Sequence, residues 1–142
     1  MRTWTACLRR LVGPTLLLAL SSPVIADDVA DCNQPQDVDR RIRGCTALTK
    51  LPELASPERA IVLSLRGNAF RLKKEFERAL ADYNEAMVLT VDSQVRKQAA
   101  AGIMLSLTEA PPELRRTTAG RKAIELMEKE FQRTQAGKPA PR

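Results

Sequence analysis

Cys7, Cys32 and Cys45 are the thiols of a 142-residue chain that contains no histidine. Without imidazole, Ser-His-Asp and Cys-His catalysis, His-ligated metal centres and acid–base schemes that titrate near neutrality all drop out. Twelve residues separate Cys32 from Cys45. They are therefore not the CxxC pair of a redox catalyst, and no histidine completes a zinc site with them. The carboxylates of Glu75, Glu77, Asp82 and Glu85 fall on amphipathic stretches, where a solvated helix face is the usual explanation. Asp82 and Glu85 stand one helical turn apart, but nothing suggests an apolar pocket that would raise one pKa for acid catalysis. The chain has neither a Gly-rich phosphate loop nor a nucleophile elbow. These residues predict a protein that is not an enzyme and that uses no cofactor, metal or small-molecule substrate.

The remaining chemistry is charge, and it is unevenly placed. The chain is formally +6 with a pI near 9.7, which on its face suggests a nucleic-acid binder. Residues 1–26, MRTWTACLRRLVGPTLLLALSSPVIA, put Arg2, Arg9 and Arg10 ahead of an apolar run from Leu11 to Leu20. Val24 and Ala26 then occupy the −3 and −1 places of a small-residue cleavage site. The run is well short of the roughly 20 residues that a spanning helix needs. The segment reads as a cleaved signal peptide, so contact with a membrane is transient and the product is exported, first to a periplasm and alternatively outside the cell. Between residues 27 and 110 there are 12 basic and 13 acidic side chains, against 8 and 4 from residue 111 on. The positive charge thus belongs to the leader and to the C-terminal part, and no nucleic-acid partner is expected. Arg115, Arg116, Arg121 and Lys122 form the one notable cluster. It reads first as a solubilising surface and second as a contact for an anionic partner.

Export also changes the meaning of the cysteines. Cys7 leaves with the leader, and Cys32 and Cys45 remain as an even pair in an oxidising compartment. A disulfide between them would close a short loop and stabilise by about 3 kcal/mol in the chain-entropy model. The alternative is two free thiols, with Cys45 as a small core residue.

Helices must position all of these groups, because Ala, Leu, Arg and Glu dominate and no stretch alternates. A first helix is expected from Asp37 to about Leu51, with Val38, Ile42, Cys45 and Leu48 on one stripe. A second starts at Ser56 as cap with Pro57 in the first turn, and carries Ile61, Val62, Leu65, Ala69 and Leu72, with Leu63 and Phe70 widening its buried face. The polar break Lys73-Lys74-Glu75 leads to a third helix with Phe76, Ala79, Leu80, Tyr83, Ala86 and Met87. Asp92 or Ser93 caps a fourth, and Pro111 and Pro112 end it. A fifth begins between Pro112 and Thr118, runs to about Arg133, and buries Ala123, Ile124, Met127 and Phe131. From residue 134 to 142 the composition predicts a disordered tail.

Residues 60–93 have the length and residue sizes of one tetratricopeptide repeat (TPR). Leu63, Gly67 and Phe70 stand at the large–glycine–aromatic places of its first helix, and Ala79, Tyr83 and Ala86 at the small–aromatic–small places of its second. Gly67 and Ala79 let the helices approach, while Phe70 and Tyr83 fill the space beside that contact. The chain thereby resembles small exported bacterial TPR proteins. The flanks match less well: Val91 stands where the closing proline is expected, and Lys97 and Ala101 where a large residue and glycine are expected. The resemblance implies an all-α fold of antiparallel hairpins stacked as a short TPR-like solenoid over residues 27–133. It implies a protein or peptide partner in a concave groove, with Ser64, Asn68 and Arg71 facing it beside Ile61. Ser64 replaces the lysine of the carboxylate-binding TPR set, and a merely solvated face is the competing account of these three residues. The expected role is an adaptor or scaffold. The alternative is a structural subunit of an envelope complex without a separate ligand groove.

Overall fold

Residues 23–136 are the part of the chain that a computed structural model describes, and they form six α-helices and one 3₁₀ turn. The fold is all-α, with no strand among the described residues. The helices are α1 (Pro23–Asn33), α2 (Val38–Thr49), α3 (Ser56–Leu72), α4 (Phe76–Leu89), α5 (Ser93–Glu109) and α6 (Thr118–Ala136). A 3₁₀ turn over Pro112–Arg116 precedes α6. Residues 1–22 of the leader and 137–142 of the tail lie outside the described residues.

Helix ends follow their capping chemistry. Asp37 accepts from the Arg40 N–H at 2.9 Å at the start of α2. Asp92 accepts from Gln94 and Val95 at the start of α5, so it is Asp92 rather than Ser93 that caps. Ser56 is not a cap. Ala55 takes that place without a side-chain bond, and Ser56 is already helical, with Pro57 still in the first turn, where its missing N–H leaves nothing unpaired. Between α3 and α4 the chain turns through Lys74 at φ 61°. There the Glu75 N–H donates to the Phe70 carbonyl and the Lys74 N–H to the Arg71 carbonyl, the paired bonds of a Schellman stop.

Each helix packs against its neighbour in sequence, and contacts also join α1 to α3, α3 to α5 and α4 to α6. Small residues set the spacing. Ala60, Ala69, Ala79, Ala86 and Ala99 are fully buried beside Leu63, Leu80, Tyr83, Met87 and Ile103. Burying one such large apolar side chain contributes about 1.5–3 kcal/mol. A smaller cluster of Cys32, Cys45, Leu48 and Val62 joins α1 and α2 to α3.

Arginines tie the helix pairs together. Arg66 on α3 donates through Nε and Nη2 to the two Asp82 oxygens on α4, each at 2.8 Å, and through Nη1 to the Thr49 hydroxyl of α2 at 3.1 Å. The bond to Asp82 holds the Arg66 guanidinium above its ordinary value, while burial pushes the Asp82 carboxyl up against the pull of Arg66. Arg96 on α5 donates to the Met87 and Thr90 carbonyls at the end of α4 and to Glu130 on α6. Arg59 donates to the carbonyls of Thr49, Leu51 and Leu54, which holds the lengthened connection between α2 and α3.

Several expectations need correction. Residues 23–33 form a helix beyond the five expected, so Cys32 lies inside α1 rather than ahead of the first helix. The last helix continues to Ala136, past the expected start of the tail at residue 134. Ile124 and Phe131 are not buried: they are 42% and 64% exposed, and no described element follows α6 to cover that side. The α6 helix instead packs on α4 through Ala123, and Asn84 donates to the Ala119 carbonyl at 2.9 Å. Leu72 is exposed as well, in the last turn of α3.

Candidate functional site

One groove runs across α1, α3 and α5, in two sections that share Ile61 and Leu65. The section between α3 and α5 has a volume of about 400 Å³ and is lined by Ile61, Ser64, Leu65, Asn68, Tyr83, Gln98, Ala101, Gly102 and Leu105. The section between α1 and α3, about 310 Å³, is lined by Ile25, Val29, Leu48, Leu51, Leu54 and Val62 among others, with Glu58 its one charged residue. Helical spacing explains the composition. Ile61, Ser64, Leu65 and Asn68 recur at intervals of three and four on α3, so one face presents both apolar and amide groups. Gln98, Ala101, Gly102 and Leu105 do the same on α5.

Tyr83 forms the floor. Its helix, α4, lies behind α3 and α5, and its ring reaches the groove because both helices in front carry glycine there. A Cβ at Gly67 would lie 2.9 Å from Tyr83 Cε1, and one at Gly102 would lie 2.3 Å from Cζ. The Tyr83 hydroxyl donates to Asn68 Oδ1 at 3.3 Å, which orients the amide at the groove surface. Burial pushes the phenol up to about 12, although the nearby Arg71 cation works against that shift.

Of the three residues expected to face a partner, Ser64 and Asn68 line the groove and Arg71 does not. The Ser64 hydroxyl is turned inward and donates to the Ala60 carbonyl at 2.9 Å. Arg71 Nη1 donates to both oxygens of Glu109 on α5, at 2.6 and 2.9 Å, in a separate cleft with Leu72, Lys74 and Phe76. Its charge is thereby committed within the chain. The α3–α5 section consequently contains no charged lining residue, and it offers apolar surface with the polar groups of Ser64, Asn68, Gln98 and Tyr83. That set can hold an uncharged, largely apolar segment by burial and a few hydrogen bonds.

Leu63, Gly67 and Phe70 on α3 and Ala79, Tyr83 and Ala86 on α4 are all buried. Cys32 and Cys45 are joined in a disulfide with an S–S distance of 2.02 Å. Gly44 lies directly beside that link. A Cβ there would be 2.6 Å from the Asp28 carbonyl oxygen and 2.7 Å from the Cys32 nitrogen, so α1 and α2 meet backbone to backbone at this point. Arg115, Arg116, Arg121 and Lys122 are all exposed, at the 3₁₀ turn and the start of α6. No group of three or more Cys, Asp or Glu side chains could hold a metal ion among the described residues, and no described helix is long and apolar enough to cross a membrane.

Sequence reasoning missed the contribution of Ile25 and Val29 to the groove, together with that of Gln98 and Leu105. Ile25, Val29 and Cys32 recur at helical spacing, which was the available signal for α1. No known protein family, curated protein or solved structure matches this chain.

Proposed function

We propose that this chain is an exported TPR-like protein–protein interaction module. It acts as an adaptor or scaffold without chemistry of its own, and holds a peptide or protein segment in the groove across α1, α3 and α5. The observation that carries this reading is the continuity of that groove: alternate helices line it, and Ile61 and Leu65 belong to both of its sections. Packing of α1 with α2 and of α3 with α4, the docking of both α5 and α6 on α4, and contacts of α3 with α1 and with α5 support a short helical solenoid. The groove's lining supports a ligand that is apolar and mostly uncharged, anchored near Ile61 and Leu65 and hydrogen-bonded near Asn68.

The disulfide between Cys32 and Cys45 and the leader-like residues 1–26 together support export. The test is alanine at Asn68, measured against a captured partner. Loss of the Asn68 contact should weaken binding several-fold, and unchanged binding would remove Asn68 from the site. Arg71→Ala alone should act only through Glu109 and the Tyr83 floor.

A further inference from the structure

We infer that the outer face of the α5–α6 pair is a second docking surface, shaped for an acidic amphipathic helix of a partner protein. Every earlier helix pair is covered by the pair that follows it, but nothing described follows α6. What would otherwise be the next layer of core is therefore at the surface. Met104 on α5 is 57% exposed, and Ile124 and Phe131 on α6 are exposed too. Between them lies a cleft of about 290 Å³ lined by Met104, Leu107, Thr108, Arg115, Ile124 and Met127. Ile124, Met127 and Phe131 follow one another at helical spacing, the pattern that accepts the i, i+3, i+4, i+7 anchors of an incoming helix.

Charge selects the occupant. Arg115 lines the cleft, Arg116 follows it, and Arg121 stands one turn before Ile124. Among the described residues none of these, nor Lys122, forms a salt bridge. The nearby acids are mostly taken: Glu109 by Arg71, Glu125 by Lys129, and Glu130 by Arg96 and Arg133. Only Glu113 and Glu128 there lack a cation, so Arg115, Arg116 and Arg121 outnumber the unpaired acids, while Lys122 lines a separate cleft against α4 with Glu77 and Glu85. A second copy docking through the same face would bring these arginines against each other. A helix with leucine-like anchors and flanking carboxylates would instead pair them. No residue lines both this cleft and the groove, so the inference does not depend on the proposed function.

The probe is a fluorescent amphipathic peptide with leucine on one face and glutamate on the flanks, titrated by anisotropy against the whole chain. A twin carrying lysine for each glutamate is the comparison. The acidic peptide should bind at least about tenfold more tightly than its twin, and the difference should shrink with salt. Ile124→Glu should abolish binding, and Arg115→Glu with Arg121→Glu should weaken it about tenfold. Leu65→Glu in the groove should leave it unchanged. All three altered positions on this face are exposed, so circular dichroism should remain that of the parent. Equal binding of the twins, or loss with Leu65→Glu but not with Ile124→Glu, would overturn the inference. So would binding of phosphatidylglycerol vesicles through these residues while the acidic peptide fails to bind.

Discussion

The ring of Tyr83 leaves no room for a side chain at Gly102, where a Cβ would lie 2.3 Å from Cζ. One buried phenol thus sets how closely α5 approaches α4, and with it the width of the groove between α3 and α5. Gly102→Ala should cost stability although alanine is the better helix former. Overpacking of about 1–3 kcal/mol outweighs a propensity gain of about 1 kcal/mol. Gly67→Ala, whose Cβ would meet the ring edge at 2.9 Å, should cost less. Urea denaturation of the two variants gives the order directly, and the reverse order would mean that Tyr83 is not the constraint.

Tyr83 is the only tyrosine in the chain, so its ionisation can be followed by tyrosinate absorbance without assignment. The folded protein should titrate at about 12, against about 10 for the unfolded chain. Because the folded state holds the proton more tightly, this contribution to stability is complete below pH ~10 and fades as pH rises through the folded value. Arg71→Ala should move the folded titration further upward, since that cation opposes the shift.

Arg66 and Asp82 should behave as a unit. Their side chains are largely buried, and Asp82→Ala leaves a guanidinium without its partner, at a cost of about 3 kcal/mol. Replacing both, Arg66→Met with Asp82→Leu, should recover most of that loss. Chemical denaturation of the two singles and the double closes the cycle, and additive losses would contradict coupling.

Reduction of the Cys32–Cys45 disulfide should cost up to about 3 kcal/mol and act first on α1. Hydrogen exchange after reduction should show the amides of residues 23–33 losing protection before those of α3 and α4. Alkylation without reductant should label neither cysteine.

The hairpin of α3 and α4 was legible because local sizes decide it: Gly67, Ala79 and Tyr83 announce a close crossing by their spacing alone. The helix α1 was not, because residues 23–33 also satisfy the pattern of a leader's end, and Asp27, Asp28 and Asp31 dilute its apolar stripe. Ile124 and Phe131 misled for a different reason. A stripe at helical spacing says which face is apolar but not whether another layer covers it. Arg71 looked available because Glu109, its partner, stands 38 residues away in sequence and meets it only after α3 and α5 pack. Gly102 was overlooked since it falls one residue beyond the repeat's glycine place, which Ala101 occupies. Long-range pairing and outer coverage are tertiary facts, and periodicity carries neither.

A partner held in the groove across α1, α3 and α5 would touch the exposed side chains along its walls. Site-specific photo-crosslinkers placed at Ile61, at Leu105 and, on the far side of α4, at Val88 test it most directly in the producing cell. All three positions are exposed, so the substitutions leave the core intact. One discrete protein adduct is expected from Ile61 and Leu105, absent from Val88 and lost when Leu65→Glu is introduced. The same adducts from all three positions, or adducts that survive Leu65→Glu, would contradict it.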